Sequence, residues 1–445
     1  MRLVLLIGGG PAGLIAALRL AEHGHKVTVL EQRSGVGGRL LSPDTPGTSR
    51  LPTDAMPPVI VGYQQRVRAL LEQLGTARAL AHRMARSFEW LLPGGRVVKL
   101  ARPWTPGRVS TILGLALFRG LSAGDRQRLL SWMERTWEQD PPLPADLESR
   151  TADDWLIAMG QSDAARDHIW KPLARFLIGD DIVTISAAVL VDVLSRCFLA
   201  SRQHALVMLP SQGFHDLLVN PMRLALERAG ATIRLDATVE QLQADAQRIT
   251  GVQLQAGDRL TADWYVSALP HWQLTPLLPE RALTRYSYFQ QITKLTDSSV
   301  LTVHLCSPLP VASRLRLLAD RHFHWFAARA VEWDGRRQTI LSLVATGRQD
   351  LLARQDHELL ELAVAEAGAI VPGVPVSASD YRIVKEPRAF LTPAPGTALL
   401  RPLAQSPLPN LFLAGDWTDT GLPATVESAV VSGELCAQAI LAKAG

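Results

Sequence analysis

The first thirty-one residues constrain the fold of this chain more than any other stretch. An apolar run at Arg2–Ile7 leads into a glycine-rich turn at Gly8–Gly13, and Leu14–Ala21 follows with helical spacing. A second apolar run, Val27–Leu30, ends at Glu31. The order strand, glycine turn, helix, strand and acid is typical of a parallel unit that binds a dinucleotide.

Each glycine of the turn has a separate physical role. Gly8 allows the tight turn, Gly10 lets the backbone approach a pyrophosphate, and Gly13 lets the helix pack closely on the sheet. The start of the helix offers free N–H groups and a positive dipole end to the phosphates, and Pro11 and Ala12 belong to the same predicted contact. A glycine turn without a ligand is the alternative, which the surrounding strands and helix disfavour.

The acid at the end of the second strand predicts the ribose contact. Glu31 lies 18 residues after Gly13, about where a carboxylate accepts hydrogen bonds from a ribose. Gln32, its neighbour, is predicted to contact the same cofactor. We therefore expect an α/β fold with a Rossmann-type sheet at the beginning of the chain.

Composition narrows the class of protein further. The 445 residues allow one large or two interleaved domains, and 47% hydrophobic with 20% charged residues indicates a globular chain. The net charge of +4 is too small to indicate nucleic-acid binding, and no nucleic-acid motif is present. Three scattered cysteines predict neither a disulfide framework nor a metal site, which favours a reducing, cytoplasmic location.

One stretch suggests contact with a membrane. No apolar run reaches transmembrane length, but Leu100–Leu121 holds the apolar segment Ile112–Phe118 with arginines at Arg102, Arg108 and Arg119 around it. Such a helix could dip into the inner leaflet as a peripheral anchor, could border an apolar substrate entrance, or could be an ordinary buried helix. The oligomeric state does not follow from the sequence.

Local patterns predict several further elements. Helices are expected at Gln64–Leu74 and at Phe214–Gly230, the second kinked or split by Pro221. A hairpin is expected within Phe88–Leu100, around a Pro-Gly-Gly turn, and Thr151 is a candidate N-cap.

The end of the chain carries a second strand–turn–helix pattern. The strand Leu411–Ala414 runs into Gly415 and Asp416, and a turn at Thr420–Thr425 precedes the helix Val426–Lys443. A second group of glycines follows Glu31 near the beginning of the chain. This group comprises Gly35, Gly37 and Gly38, with Arg39 next to them.

These motifs resemble the flavoprotein superfamily of amine oxidases and phytoene desaturases, and in particular the hydroxysqualene dehydroxylases. The specific stretches are Trp170–Leu173, Thr302–Leu305 and the Asp416–Ser432 segment containing TGLPAT. The resemblance implies FAD as cofactor, and a glutathione-reductase-like Rossmann FAD domain with an inserted α+β substrate domain.

The resemblance also implies individual contacts with FAD. Asp416 would accept hydrogen bonds from the ribityl chain, and the helix that follows would direct its N-terminus at the flavin. The remaining implied contacts come from the second glycine turn, two strand ends and the last turn: Gly37, Gly38, Arg39, Val239, Ala268, Gly415, Pro423, Ala424 and Thr425. The FAD domain would comprise residues 1–75, 205–275 and 385–445, and the substrate domain residues 76–204, mostly helical, and 276–384.

One segment departs from the family pattern. Where the family has Asp-Asn-Gly-Gln-His, this chain keeps the acid at Asp54 but has Pro58 at the histidine position. The ring of Pro58 can neither donate nor accept a proton. Because the matching segment lies near the flavin in the family, the resemblance makes Asp54 and Tyr63 the candidate catalytic residues. Asp180 and Asp181 are instead expected in a surface loop.

The expected activity is the reductive dehydroxylation of hydroxysqualene to squalene, an apolar isoprenoid substrate of hopanoid synthesis. Two alternatives remain open. The first is a flavin desaturase or oxidase of a related isoprenoid such as a carotenoid precursor. The second is a non-catalytic subunit that binds isoprenoid in a pathway.

Overall fold

A computed structural model describes residues 1–41, 51, 53–80, 84–85, 87–101, 107–137, 146–333 and 335–444. Its strands are β1 Leu3–Ile7, β2 Lys26–Leu30, β3 Ile60–Val61, β4 Met84–Ala85, β5 Ser87–Leu91, β6 Val97–Ala101, β7 Val207–Met208, β8 Thr232–Arg234, β9 Val239–Ala244, β10 Ile249–Leu254, β11 Arg259–Leu260, β12 Trp264–Ser267, β13 Asp297–Ser307, β14 Arg314–Leu318, β15 Trp325–Trp333, β16 Arg336–Thr346, β17 Ser377–Leu391 and β18 Leu411–Leu413. Its α-helices are α1 Pro11–Glu22, α2 Gln65–Gln73, α3 Gly107–Ala116, α4 Ala123–Trp137, α5 Ala152–Ala158, α6 Asp163–Ala165, α7 Lys171–Leu177, α8 Ala187–Leu194, α9 Asn220–Arg228, α10 His271–Leu274, α11 Glu280–Arg285, α12 Ser287–Ile292, α13 Gln349–Leu352, α14 Asp356–Ile370 and α15 Val426–Ala444.

A five-stranded parallel sheet brings the two ends of the chain together. Its strand order is β18-β12-β1-β2-β8, and β1 pairs with β2 in the register Val4 to Val27. The last four residues of β1 are all buried, as expected for a parallel strand covered on both faces. Helices α1, α9 and α15 cover one face, and the small antiparallel sheet β9–β11 with α10 to α12 covers the other.

A seven-stranded sheet forms the second layer of the molecule. Its order is β17-β13-β16-β15-β14-β5-β6, and its pairs are antiparallel except for β14 with β5. Successive residues of β13 face opposite sides. On one side of the sheet Leu301 packs in an apolar cluster with residues of α14. On the other side Val300 packs in an apolar cluster with residues of the helices α3 to α8. The predicted α/β class with its Rossmann-type sheet is confirmed, and the domain boundaries stay a prediction.

The predicted local elements agree with the structure. The hairpin joins β5 and β6 through a tight turn at Pro93–Gly95, and the helix expected after Gln64 is α2. Thr151 caps α5 by accepting a hydrogen bond from the N–H of Asp154. Pro221 lies in the first turn of α9, and the π-helical turn His215–Val219 precedes it, so the expected helix is divided as predicted.

The prediction of a surface location for Asp180 is wrong. Its side chain is buried, and its carboxylate accepts hydrogen bonds from the Asp181 N–H at 2.8 Å and from the Thr392 hydroxyl at 3.5 Å. Burial raises the pKa of Asp180, although these donors oppose the shift. Asp181 is half-buried and forms an ion pair with Arg175.

The stretch expected at a membrane is only partly described. Helix α3 buries Leu115, while Val109 and Leu113 on its other side, and Leu117 just after its end, are exposed. Arg102 and the side chain of Arg108 lie outside the described residues. None of the helices in the described part of the chain is both long and apolar enough to cross a bilayer.

Candidate functional site

A cavity of about 670 Å³ lies where the two large sheets meet. Its first wall consists of residues that follow the carboxyl ends of four parallel strands: Gly8 after β1, Glu31 after β2, Ala268 after β12 and Gly415 after β18. The carboxyl ends of parallel strands are where such sheets bind ligands. The described residues contain no cluster suited to a metal ion.

The glycine turns expose bare backbone to this cavity. Gly10 lines the cavity, and a Cβ atom added there would have no protein atom within 4 Å. A Cβ added to Gly38 would come within 3.1 Å of the Cα of Gly10, so the two turns touch. Pro11 and Ala12, at the start of α1, also line the cavity. This arrangement fits a pyrophosphate above Gly10, with the free N–H groups of α1 toward it.

Two of the predicted glycines support the turn without lining the cavity. A Cβ at Gly13 would overlap the carbonyl oxygen of Gly8, so only glycine lets α1 begin this close to β1. Gly37 has a φ of 126° and donates its N–H to the carbonyl of Gly9 at 2.8 Å. Their contribution is to the shape of the turns.

Glu31 is placed to meet a ribose. Its carboxylate accepts the N–H of Gly9 at 2.8 Å through one oxygen and the N–H of Arg33 at 3.0 Å through the other. A carboxylate has about four acceptor positions, so lone pairs remain for ribose hydroxyls. Gln32 and Val239 line the same part of the cavity.

The predicted residues from both ends of the chain meet in one ion pair. Arg39 Nη2 lies 2.6 Å from Asp416 Oδ1, and Arg39 also donates to the carbonyl of Ala389 at 2.7 Å. Burial opposes the charge on Arg39, but the carboxylates of Asp416, Asp297 and Glu386 outweigh it and raise the pKa of the guanidinium. Asp416 itself lines the cavity.

The loop after Asp416 is shaped by Arg401, which the sequence analysis missed. Its guanidinium donates to four backbone carbonyls, those of Asp416, Trp417, Thr418 and Leu422, at 2.5 to 3.4 Å. Ala424 and Thr425 then line the cavity just before α15, whereas Pro423 lies outside the lining. No local motif marks Arg401, because its partners lie 15 to 21 residues away.

Helix α15 approaches α1 closely through small residues. The hydroxyl of Ser432 accepts the N–H of Gly415 at 2.9 Å. A Cβ at Gly433 would come within 2.5 Å of the carbonyl oxygen of Ala12. The last helix is therefore held against the first one, with its N-terminal residue Val426 at the cavity.

The structure does not bring Asp54 to the cavity. Its carboxylate is buried and accepts the N–H of Phe214 at 2.6 Å and that of His215 at 3.4 Å, before the turn His215–Val219. Burial raises the pKa of Asp54 against the effect of these donors. Asp54 thus caps the turn His215–Val219, and this contact fixes the position of its neighbour Ala55, which lines the cavity.

Tyr63 lines the cavity and is buried. Burial raises the pKa of its hydroxyl above the ordinary value of 10, so the phenol stays protonated at neutral pH. Of the segment that departs from the family pattern, Met56 and Pro57 line the cavity and Pro58 does not.

The second wall of the cavity is largely apolar. It comes from the seven-stranded sheet and the helical segment, through Val300, Trp325, Phe176, Ile178 and Phe390. Phe176 and Trp325 meet edge to face, with ring centroids 5.4 Å apart. The cavity thus combines a polar wall suited to a dinucleotide with an apolar wall suited to a hydrocarbon.

Several known proteins have sequences or structures similar to this chain. Residues 11–441 match the family model of the flavin containing amine oxidoreductases. The 15-cis-phytoene desaturase of Synechococcus elongatus is 27% identical, over 99% of this chain and 96% of its own length. The zeta-carotene desaturase of a Synechocystis species is 25% identical, over 99% and 97%. A solved structure of a putrescine oxidase variant superposes with a TM-score of 0.72, at 18% identity over 99% of both chains.

Proposed function

Because the chain belongs to the family of flavin containing amine oxidoreductases, we propose that this FAD-dependent oxidoreductase desaturates an acyclic isoprenoid chain. Family membership establishes the class of enzyme and its cofactor, FAD. The substrate and the direction of the reaction are the proposed part. The observation that carries the substrate class is the apolar wall, which faces the dinucleotide wall across one cavity.

When bound, FAD supplies the two-electron acceptor for two hydrogens, one removed from each carbon of a carbon–carbon single bond. The chain's own residues bind and orient this cofactor. Glu31 accepts from the ribose, Gly10 allows close approach of the pyrophosphate, and Asp416, held by Arg39, accepts from the ribityl chain. The N-terminus of α15 favours negative charge on a ligand beside Val426.

The opposite wall suits a hydrocarbon for two reasons. Phe176, Trp325 and Val300 offer carbon surface, which excludes water from the reacting bond. Tyr63 keeps its proton, so it can orient a group by hydrogen bonding but cannot accept a proton as a base.

Two relatives that are desaturases of carotenoid precursors also support this proposal. Reductive dehydroxylation of hydroxysqualene, expected first from the sequence, has less support. It needs an acid to help hydroxide leave. Asp54 lies outside the cavity lining, and burial raises the pKa of Tyr63, which makes its phenol a poor proton donor. A non-catalytic isoprenoid-binding subunit is disfavoured by the expected FAD-binding residues that do line the cavity, among them Gly10, Glu31 and Asp416.

Cofactor binding is tested by a matched pair of glycine variants. In Gly10→Ala and in Gly35→Ala the new methyl group meets no protein atom within 4 Å, but only Gly10 lines the cavity. We expect both variants to fold, Gly10→Ala to lose most of its bound flavin and Gly35→Ala to keep it. Visible absorption of the purified proteins measures this. Equal flavin content in both would contradict the assignment of the pyrophosphate site.

The reaction is tested by product mass. FAD-loaded protein is incubated with a C30 or C40 acyclic isoprenoid hydrocarbon and an artificial quinone as electron acceptor. We expect products lighter by two hydrogens. A parallel incubation of the protein with hydroxysqualene and reduced flavin tests the alternative reaction. Formation of squalene there, with no desaturated product in the first incubation, would show dehydroxylation instead of desaturation. No change of mass in either incubation would leave isoprenoid binding without turnover.

The proposal includes contact with a membrane surface, from which such a substrate would enter. Val109, Leu113 and Leu117 are exposed and spaced by four, and the N–H of Leu117 donates to the carbonyl of Leu113 at 3.1 Å. They therefore form one apolar stripe along α3 and the turn that continues it. We expect wild-type protein to float with vesicles that contain anionic lipid. The double variant Leu113→Asp/Leu117→Asp should remain in solution. Leu399→Asp, at another exposed leucine, is the control. Equal flotation of all three proteins would argue against this surface.

A further inference from the structure

A second, smaller cavity of about 80 Å³ lies beneath α3, separated from the main cavity. We propose that it receives the end of an extended isoprenoid chain and that Phe88 is the residue that closes it off. This inference rests on the proposed substrate class. It adds a binding subsite and a residue that controls which chain lengths the protein accepts.

The small cavity offers carbon surface to its contents. Trp90, Phe118, Trp170 and Phe198 contribute aromatic rings to its lining. The indole N–H groups are already used, because Trp90 donates to the carbonyl of Ile169 and Trp170 to the side chain of Gln161, at 3.2 and 3.1 Å. An apolar cavity of this kind stays dry and takes an apolar ligand.

Three rings in contact lie between the two cavities: Phe176 lines the main cavity, Phe198 lines the small one, and Phe88 contacts both and lines neither. Phe88 in β5 is 2% exposed, and its ring centroid lies 6.1 Å from that of Phe176, which lines the main cavity. On its other side the ring of Phe198, which lines the small cavity, is 5.4 Å away. Trp90, two residues along the same strand, faces the same side and also lines the small cavity. Displacement of the Phe88 ring from between Phe176 and Phe198 is therefore the movement that would join the two spaces.

The main cavity cannot give all of its volume to a hydrocarbon. The wall that contains Gly8, Glu31, Ala268, Gly415 and Asp416 is the dinucleotide wall, so FAD would fill that part. The remaining apolar part ends at Phe176 and Trp325, against Phe88. A long chain that lies along the apolar wall therefore has its next apolar space behind Phe88.

Bromine-terminated acyclic isoprenoid hydrocarbons of 20 and 40 carbons test this placement in the FAD-loaded protein. Crystals soaked with the longer chain should show anomalous scattering from bromine within the small cavity. In Phe88→Ala, affinity for the longer chain relative to the shorter should rise about tenfold, because two further buried methylene groups suffice for that change. Change of the flavin absorption spectrum measures binding.

Two further variants keep the test specific. Leu199→Phe adds volume at a half-buried residue lining the small cavity, and should exclude the bromine and weaken only the longer chain. Phe323→Ala removes an equally buried ring from the opposite face of the seven-stranded sheet, and should leave the length preference unchanged.

The possible failures are distinguishable. If both chains bind but bromine stays in the main cavity and Phe88→Ala keeps the wild-type length preference, the subsite is refuted while the substrate class stands. If neither chain binds to protein that holds FAD, both the substrate class and the subsite are refuted.

Discussion

His304 should make folding stability depend on pH in a calculable way. Its ring is completely buried, with Nε2 3.1 Å from the carbonyl oxygen of Asp54 and Nδ1 2.8 Å from the hydroxyl of Ser342. A carbonyl only accepts, so Nε2 carries the proton and Nδ1 accepts from Ser342. The neutral ring is fully hydrogen-bonded, and it fixes the segment whose next residue, Ala55, lines the main cavity.

The sign of the effect follows from the shift. Burial, followed by the nearby charges of Arg329 and Arg382, lowers the pKa of His304 from 6.5 to about 3. Above pH 6.5 the ring is neutral in both states, and its stabilising contribution is complete. Below pH 6.5 the unfolded chain binds a proton that the folded protein does not, so stability falls until the pH approaches 3. The slope is up to about 1.4 kcal/mol per pH unit, or about 2–3 kcal/mol between pH 6.5 and 4.5.

Urea unfolding at pH 7 and pH 4.5 measures this contribution. In His304→Gln an amide can donate to the Asp54 carbonyl but does not titrate. The loss of unfolding free energy on acidification should therefore be about 2–3 kcal/mol smaller than in the wild type. His324, a second buried histidine with lowered pKa, acts in the same direction in both proteins. The control is His357→Gln, which removes a histidine from the exposed face of α14. An identical pH dependence in wild type and His304→Gln would refute the reasoning.

Three further substitutions have defined outcomes. Gly13→Ala places a methyl group against the Gly8 carbonyl, so the turn must shift and the purified protein should lack flavin absorption; a fully yellow variant would contradict this. Arg401→Gln leaves buried loop carbonyls without donors and should lower the unfolding free energy by about 2–4 kcal/mol in calorimetry, with Arg401→Lys in between. The carboxylate of Glu427 accepts the backbone N–H groups of Arg66 and Val67, at the start of α2, at 2.8 Å each. Glu427→Gln would turn an amide N–H toward one of these donors. It should cost about 1–3 kcal/mol in urea unfolding, and an unchanged midpoint would oppose the role of Glu427 as a cap.

Much of the dinucleotide wall could be predicted because its signals are local. The order of strand, glycine turn, helix and acid within Gly8–Glu31 leaves little choice of backbone geometry, since only glycine suits the close contacts at Gly8 and Gly13. Gly415 and Asp416 follow a strand and precede a helix, so their place at the carboxyl edge of the sheet was likewise foreseeable.

Other assignments needed the folded chain, because they depend on partners far away in sequence. Asp54 looked catalytic, yet its carboxylate binds backbone N–H groups 160 residues later. Asp180 looked exposed, yet Thr392 and Asp181 enclose it. Burial of a polar group depends on which surfaces the tertiary structure brings over it, and no local pattern records that.

Most residues of the cofactor wall were predictable before the fold was known, because its backbone conformations suit only a few residue types. The apolar side was not predictable in this way: that Phe176 and Trp325 face the cofactor wall, and that Phe88 contacts both Phe176 and Phe198, depends on packing between distant segments. An aromatic residue on a strand or a helix suits a core and a cavity wall equally well. Only the packing of distant strands and helices leaves the empty space that distinguishes them.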